Sequence, residues 1–415
     1  MSKPRKPLHL FEAYGVEMEY MIVKNNTLEI LPITDKVIYD VAGKFDSDVE
    51  FDDMAWSNEL VLHVIELKTN GPAKTLAGLP EKFQAQVEHI NKLLEKYNAR
   101  LLGSGAHPFM DPYKEMCLWP HDYNQIYEAY NKIFDCRGHG WANLQSTHLN
   151  LPFANDEEFG KLHAAIRVLL PIIPALSASS PVLDNKISGF ADTRLEVYQG
   201  NQKQIPSIAG KVIPEQVFSK AEYEQKIFKK IYADIAPYDE DEILRDQFLN
   251  SRGAIARFDR GAIEIRIIDI QECPQADIAV LYAVIETLKT LVSEKWTSLD
   301  DQKKWHETDL AEILWKVVKN GQQAVIDNAD YLKLFGYDKA ESCTTLELWQ
   351  HIFDTVLAAA ITDEKTKAAL TFILQNDTLS ARIVKALKGN SSPENIKNVY
   401  EQLADCLKSG KQFLG

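Results

Sequence analysis

The sequence predicts an α+β protein: a curved, mainly antiparallel sheet backed by helices, followed by a helical C-terminal part. Three observations carry this. Short apolar or alternating runs recur through the first 270 residues, with amphipathic helical stretches between them. Two of these runs, 254–258 and 262–269, are joined by Asp259, Arg260 and Gly261, which suits a hairpin turn. Residues 275–415 read as almost all helix.

In chain order, strands are expected over Tyr14 to Val23, Leu60 to Lys68, Ala99 to Gly105, Ser146 to Leu151, Ala254 to Phe258 and Ala262 to Asp269. Leu79, Phe83, Val87, Ile90, Leu94 and Tyr97 recur at steps of three and four, one face of a helix. A second helix covers 157–170, and a third runs from Gln275 to Trp296 just after Pro274. Leu310, Ile313, Leu314, Val317 and Val318 form a later stripe, which Thr308 can cap and Gly321 can end. Gly389 and Ser392-Pro393 mark another boundary. No internal repeat, low-complexity segment or flexible linker stands out. The helical tail is therefore expected to pack on the first part, giving an α+β domain over 10–297 and a helical extension over 298–415.

The 415 residues are 45% hydrophobic and 26% charged, enough apolar material for a large core. Lys and Arg number 46 against 60 Asp and Glu, a net charge of −14, which argues against nucleic-acid binding through a general basic surface. The five cysteines, at 117, 136, 273, 343 and 406, form no C-x-x-C, and their odd number argues against a secreted disulfide framework. The basic start, Met-Ser-Lys-Pro-Arg-Lys-Pro, is followed by no apolar segment, so no signal peptide is expected. The most apolar stretch, Leu162 to Ala178, contains His163, Arg167, Pro171 and Pro174 and does not read as a membrane span. A cytoplasmic protein is expected.

The common phosphate-cradling loops, G-x-x-x-x-G-K-[ST] and G-x-G-x-x-G, are absent, as are H-E-x-x-H and G-x-S-x-G. The informative feature is acid inside strands. Glu17 and Glu19 are two apart, so on a strand they share one face while Val16, Met18 and Tyr20 share the other. Side by side they repel unless the face is solvated, a cation lies between them, or one keeps its proton. Glu66 interrupts an apolar run and shares its face with Lys68, so it is either ion-paired in the core or faces a polar cavity. Glu264 and Arg266 share one face, opposite Ile263, Ile265 and Ile267. Arg257, Arg260 and Arg266 lie within ten residues, which suggests an anion such as phosphate nearby. Three acid-bearing strands with arginines on one of them fit a metal–phosphate site on one sheet face, and Mg²⁺ favours carboxylate oxygens and nucleotide phosphates.

These residues resemble the glutamate–cysteine ligase type 2 family of carboxylate–amine ligases, which has a glutamine-synthetase-like fold. Gly15-Val16-Glu17-Met18-Glu19 is similar to the family's opening G-[VI]-E-x-E strand. Glu59 and Glu66, ending in E-[LI]-x-T-x-G, resemble its second acidic strand. Gly105-Ala106-His107-Pro108-Phe109 resembles G-T-H-P-F. Ala175 to Pro181, followed by Gly189-Phe190-Ala191-Asp192-Thr193-Arg194, is similar to A-L-S-A-S-S-P and G-Y-x-S-x-R, and Ile263 to Arg266 with Asp269 resembles L-E-x-R-x-x-D. The matches run in family order from about 12 to 285. One departure is Ser146, which stands where the family's H-V-H-V has its first histidine, leaving only His148. Arg257 and Arg260 do not align cleanly with the family arginine.

The resemblance implies ATP-dependent phosphorylation of a substrate carboxylate to an acyl phosphate, then attack by an amine to give an amide, with glutamate and cysteine the family's pair. It implies that Glu17, Glu19, Glu59, Glu66 and Glu264 hold two or three Mg²⁺ ions, or Mn²⁺. Arg194 is expected on a loop at the mouth of the site, against the reacting carboxylate or phosphoryl, with Arg266 neutralising phosphate charge. Arg257, Lys68 and His148 are assigned to the nucleotide, and Glu17, Glu66 and Glu264 are expected to form one cation site. His107 either braces a turn beside Pro108 or touches ligand, and the acidic run Asp239 to Glu242 reads as a solvated loop. The resemblance also suggests a homodimer. Two alternatives remain at this point: a guanidino kinase of the same architecture, and a nucleotide- or metal-binding relative without catalysis, motivated by Ser146.

Overall fold

The computed structural model describes residues 6–415; residues 1–5, most of the basic N-terminus, lie outside it. Its centre is an eight-stranded sheet. The strands are β1 (Gly15–Lys24), β2 (Asp48–Phe51), β3 (Met54–Asn58), β4 (Val64–Thr69), β5 (Ala99–Leu102), β6 (Ser146–Pro152), β7 (Ala254–Arg257) and β8 (Ala262–Asp269). Their spatial order is β2-β3-β4-β1-β6-β8-β7, and β5 pairs with the second half of β1 beyond the reach of β6. The neighbours along this path are antiparallel.

The sheet separates its residues by alternation. Val16, Met18, Tyr20 and Ile22 of β1 are fully buried on one face, with Leu67, Leu149, Ile263 and Ile265 from the neighbouring strands. Against this face pack α1 (Leu79–Leu94), through Phe83, Val87 and Ile90, and α5 (Pro274–Val292). α5 buries Ala276 to Leu291 on nearly all sides, as a helix enclosed by others must. It lies against α1, α3 (Asp156–Leu169) and α7 (Glu364–Asn376). Between α1 and α3 runs α2 (Asn124–Phe134), and α4 (Thr193–Tyr198) precedes β7.

Several elements differ from the sequence reading. The run Leu60 to Lys68 is not one strand. β3 and β4 form a hairpin in which Asn58 pairs with Ile65, so 59–63 is its connection. That connection is apolar because it is itself covered: Leu62 N–H donates to Cys117 O and Leu60 O accepts from Trp119 N–H. β2 and β3 escaped notice because they are short and separated only by a tight turn in which Asp52 has positive φ. β5 stops at Leu102, since at Gly103 the chain passes within 2.7 Å (Cβ position to O) of the Gln271 carbonyl, space only glycine leaves free. The hairpin around Asp259-Arg260-Gly261 forms with Gly261 at φ +64.

In the C-terminal part, α6 (Glu307–Asn320) is capped by His306, not Thr308: the His306 ring accepts the Thr308 N–H at 3.2 Å. Gly321, at φ +53, ends it as expected. α8 (Leu379–Leu387) and α9 (Pro393–Ser409) follow, the latter capped by Ser392 with Pro393 in its first turn. Buried polar contacts tie residues beyond 298 to the rest: Tyr331 Oη donates to Val168 O and Trp349 Nε1 to Ile172 O, both at 2.8 Å. Arg382 on α8 meets Glu272 at 2.6 Å. Among the described residues, no helix is long and apolar enough to cross a membrane.

Candidate active site

The polar face of the sheet is built by register. Glu17 stands between Lys68 on β4 and His148 on β6, and Glu19 faces Glu66. Ser57 on β3 lies opposite Glu66, and Glu264 on β8 lies opposite Asn150. Glu17, Glu19, Glu59, Glu66 and Glu264 thereby line one cavity of about 720 Å³, together with Lys68, His148, Arg194, Arg257 and Arg266. Glu59 reaches it from the β3–β4 connection, a strand away from Glu66, instead of from a shared acidic strand.

The carboxylates are held by a chain of hydrogen bonds. Ser57 Oγ donates to Glu66 at 2.6 Å and receives Lys68 Nζ at 2.6 Å, while Lys68 also reaches Glu66 at 3.0 Å. Lys68 is thus first a partner of Glu66. Ser146, through its N–H and its hydroxyl, contacts Glu19 at 2.7 and 2.9 Å. His148 lies 3.0 Å from Glu17 through Nδ1 and 2.9 Å from Ser146 Oγ through Nε2. Ser146, in the place of a family histidine, therefore serves as a bridge between Glu19 and His148. Asn150 donates to Glu17 at 3.1 Å.

Charge is unevenly matched. Burial, and then the neighbouring charges of Glu19, Glu66 and Glu17, push Glu59 well above the ordinary carboxylate range. Burial also lifts Glu19, in spite of His148. Burial works against the charge of His148, but the Glu17 hydrogen bond and the charges of Glu19, Glu264 and Glu17 raise it to about 9. Glu264 is the opposite case. Burial would lift it, yet Arg266 and His148 outweigh that and hold it at about 2. Arg266 pairs with it at 2.7 Å, and Arg257 stands 3.9 Å away.

Two clusters can offer ligand atoms within 4.8 Å of one another: Glu17, Glu66 and His148, and Glu19, Glu59 and Glu66. Glu66 belongs to both. Glu264 belongs to neither, so the expected grouping of Glu17, Glu66 and Glu264 gives way to one in which Arg266 already satisfies Glu264.

Arg194 is also differently placed. It sits in the first turn of α4, 2% exposed, and not on a loop at the mouth. Its Nε donates to Asp269 and its Nη2 to Arg266 O. Arg257 is ion-paired with Asp259 at 3.2 Å at the cavity edge. His107 lies outside the cavity and braces a turn: Nε2 meets Leu28 O at 2.6 Å, Nδ1 accepts Phe109 and Met110 N–H, and burial pushes it down to about 4. In the acidic run, Asp239 is buried and accepts the N–H groups of Ile243 and Leu244, whereas Glu240, Asp241 and Glu242 are exposed.

Sequence reasoning did not identify the wall opposite the acids. It comes from α2 and its flanks, with Tyr123, Tyr127, Tyr130 and Trp141, and from Tyr198 and Phe248. Tyr127 Oη accepts from Asn58 at 3.0 Å, which links wall to floor. The signal was the spacing of Tyr123, Tyr127 and Tyr130, steps of four and three on one helical face.

The chain is similar to known proteins over most of its length. It is 36% identical over 280 residues, 68% of this chain and 75% of the other, to an uncharacterized protein of Archaeoglobus fulgidus. A crystal structure of the glutamate–cysteine ligase of Francisella tularensis, in complex with AMP, superposes with a TM-score of 0.61 over 96% of this chain and 89% of that one, at 13% identity. A bifunctional glutathione synthetase from Pasteurella multocida gives 0.60 at 13% identity over 96% of this chain, which spans only 53% of that protein. These two likenesses show the fold. The sequence model of the glutamate-cysteine ligase family 2 matches residues 13–330. The chain belongs to that family.

Proposed function

We propose that this protein is an ATP-dependent carboxylate–amine ligase that forms an amide, of γ-glutamyl type, through an acyl phosphate. The observation that carries the reading is the convergence of five glutamates, two of them, Glu19 and Glu59, pushed toward their neutral forms by burial and by neighbouring carboxylates, beside four arginines in one cavity. Carboxylates crowded in this way call for cations. The donor set of carboxylate oxygens with one imidazole fits Mg²⁺ or Mn²⁺, held by Glu17, Glu66 and His148 and by Glu19, Glu59 and Glu66. Such ions would neutralise charge on nucleotide phosphates during transfer.

The residues divide the remaining work. Arg194 is read as the contact to the reacting carboxylate or the transferred phosphoryl, and Arg266 and Arg257 as fixed positive charge where phosphate charge develops. A substrate carboxylate oxygen attacks the γ-phosphorus and ADP leaves. The amine nitrogen then attacks the acyl carbon, the C–O bond to phosphate breaks, and the amine proton is lost to solvent or to a carboxylate. Catalysis lies within 10–297, and 298–415 forms a packed extension. An oxygen-isotope experiment tests the path. With the substrate carboxylate labelled with ¹⁸O, one label should appear in inorganic phosphate per amide formed. Unlabelled phosphate would exclude the acyl phosphate.

A further inference from the structure

Arg194 enters the cavity from within the protein, so something must aim it. Its Nε and Nη2 are used on Asp269 and on Arg266 O, and among the described residues its Nη1 has no protein partner. Arg194 itself lines the cavity. Asp269, at the end of β8, is fully buried. One of its carboxylate oxygens accepts Arg194 Nε. The other accepts Ser179 N–H at 2.9 Å and the Ser180 hydroxyl at 2.8 Å. Ser180 Oγ in turn accepts the Arg194 backbone N–H at 3.0 Å. Backbone and side chain of Arg194 are thus tied to the same carboxylate. Residue 105 must be glycine for the carboxylate to fit, because a Cβ there would stand 2.6 Å from it.

We propose that Asp269 is the positioning residue for Arg194: it locks the guanidinium so that the Nη1 edge faces the cavity, and does not touch substrate itself. Asp192 is the obvious rival, being buried beside the pair. Its one bonded oxygen caps α4 by accepting Leu195 N–H at 2.8 Å, and its other oxygen has no partner. Burial and the charge of Asp269 hold it well above the ordinary carboxylate range, and it is Asp269 that meets the Arg194 guanidinium directly. Asparagine caps a helix as well as aspartate does.

The inference rests on the role given to Arg194 in the proposed function. The test is steady-state kinetics on Asp269→Asn, Arg194→Lys, the double variant and Asp192→Asn. A guanidinium misplaced by about 1 Å costs on the order of 100-fold. Asp269→Asn and Arg194→Lys should therefore each lower kcat by about that factor with KM for ATP within about threefold, and the double variant should be no worse than the poorer single one. Asp192→Asn should stay within about twofold. Losses that multiply in the double variant, or an Asp269→Asn kcat within about threefold of wild type, would overturn the proposal. If Asp269→Asn does not fold, Gly105→Ala displaces the carboxylate without removing its charge and should lower kcat in the same way; an unchanged kcat overturns the tether. If wild type makes no ADP with any carboxylate–amine pair, it is the functional reading that falls. The tether is then read from the Arg194 Nε–H proton resonance, which should lie downfield in wild type; a resonance at the free-arginine position contradicts it.

Discussion

Glu66 is the residue whose loss the site should feel most, because both candidate cation clusters contain it. Glu66→Gln keeps the Ser57 and Lys68 contacts sterically possible and removes the charge. Calorimetric titration with Mn²⁺ should show affinity reduced at least about tenfold, a loss that even outer-shell substitutions can produce. An unchanged isotherm would remove Glu66 from the metal site. His148 carries a pH signature. Its pKa, raised from about 6.5 to about 9 by Glu17 and the other carboxylates, gives stability that is complete below about 6.5 and is lost as pH rises through about 9. In metal-free protein, the gap in melting temperature between wild type and His148→Gln should narrow from pH 6.5 to 9.5; a constant gap contradicts the ion pair. At this scale the sequence was legible where side chains two apart share a strand face. Glu17 with Glu19, and Glu264 with Arg266, follow from alternation alone. What alternation cannot supply is register, and so the placing of Glu66 between Glu17 and His148 on one side and Glu19 and Glu59 on the other is not legible in the sequence.

Elements were legible where their pattern was long. β1, β6, β8, α1 and α5 appear close to their expected limits. β2 and β3 were too short to show a period, and the apolar connection 59–63 imitated a strand because it packs beneath 117–119. β8 contains a further feature that sequence does not reveal: its pairing with β6 shifts between Ile265 and Ile268. The shift lets Arg266 N–H donate to Gly253 O at 3.0 Å and brings Ile267 against Gly253, where a Cβ would stand 2.6 Å from the isoleucine methyl. Gly253→Ala should therefore cost about 1–3 kcal/mol in denaturant unfolding, the usual cost of overpacking. A variant as stable as wild type would mean the irregularity can relax.

For the whole molecule, the family motifs in their order made the fold class readable, whereas strand order and the placement of residues beyond 298 depend on contacts far apart in sequence. Glu272 and Arg382 are such a contact, 110 residues apart and essentially without solvent exposure. Glu272→Ala leaves a buried guanidinium without its carboxylate and should destabilise the protein by about 3–5 kcal/mol, read from the denaturant midpoint. A change under about 1 kcal/mol would show that α8 can release Arg382 to water. The central claim is that this cavity couples ATP cleavage to joining a carboxylate and an amine. Mass spectrometry of ADP and products, across pairs drawn from a panel of amino acids and amines with Mg²⁺ and ATP, tests it most directly. One pair should give ADP and amide in equal amounts, with no amide and no multiple-turnover ADP when the amine is omitted, and neither product when the carboxylate or the metal is omitted. ADP accompanied by a stable phosphoguanidino product, or no ADP with any pair, would contradict the account.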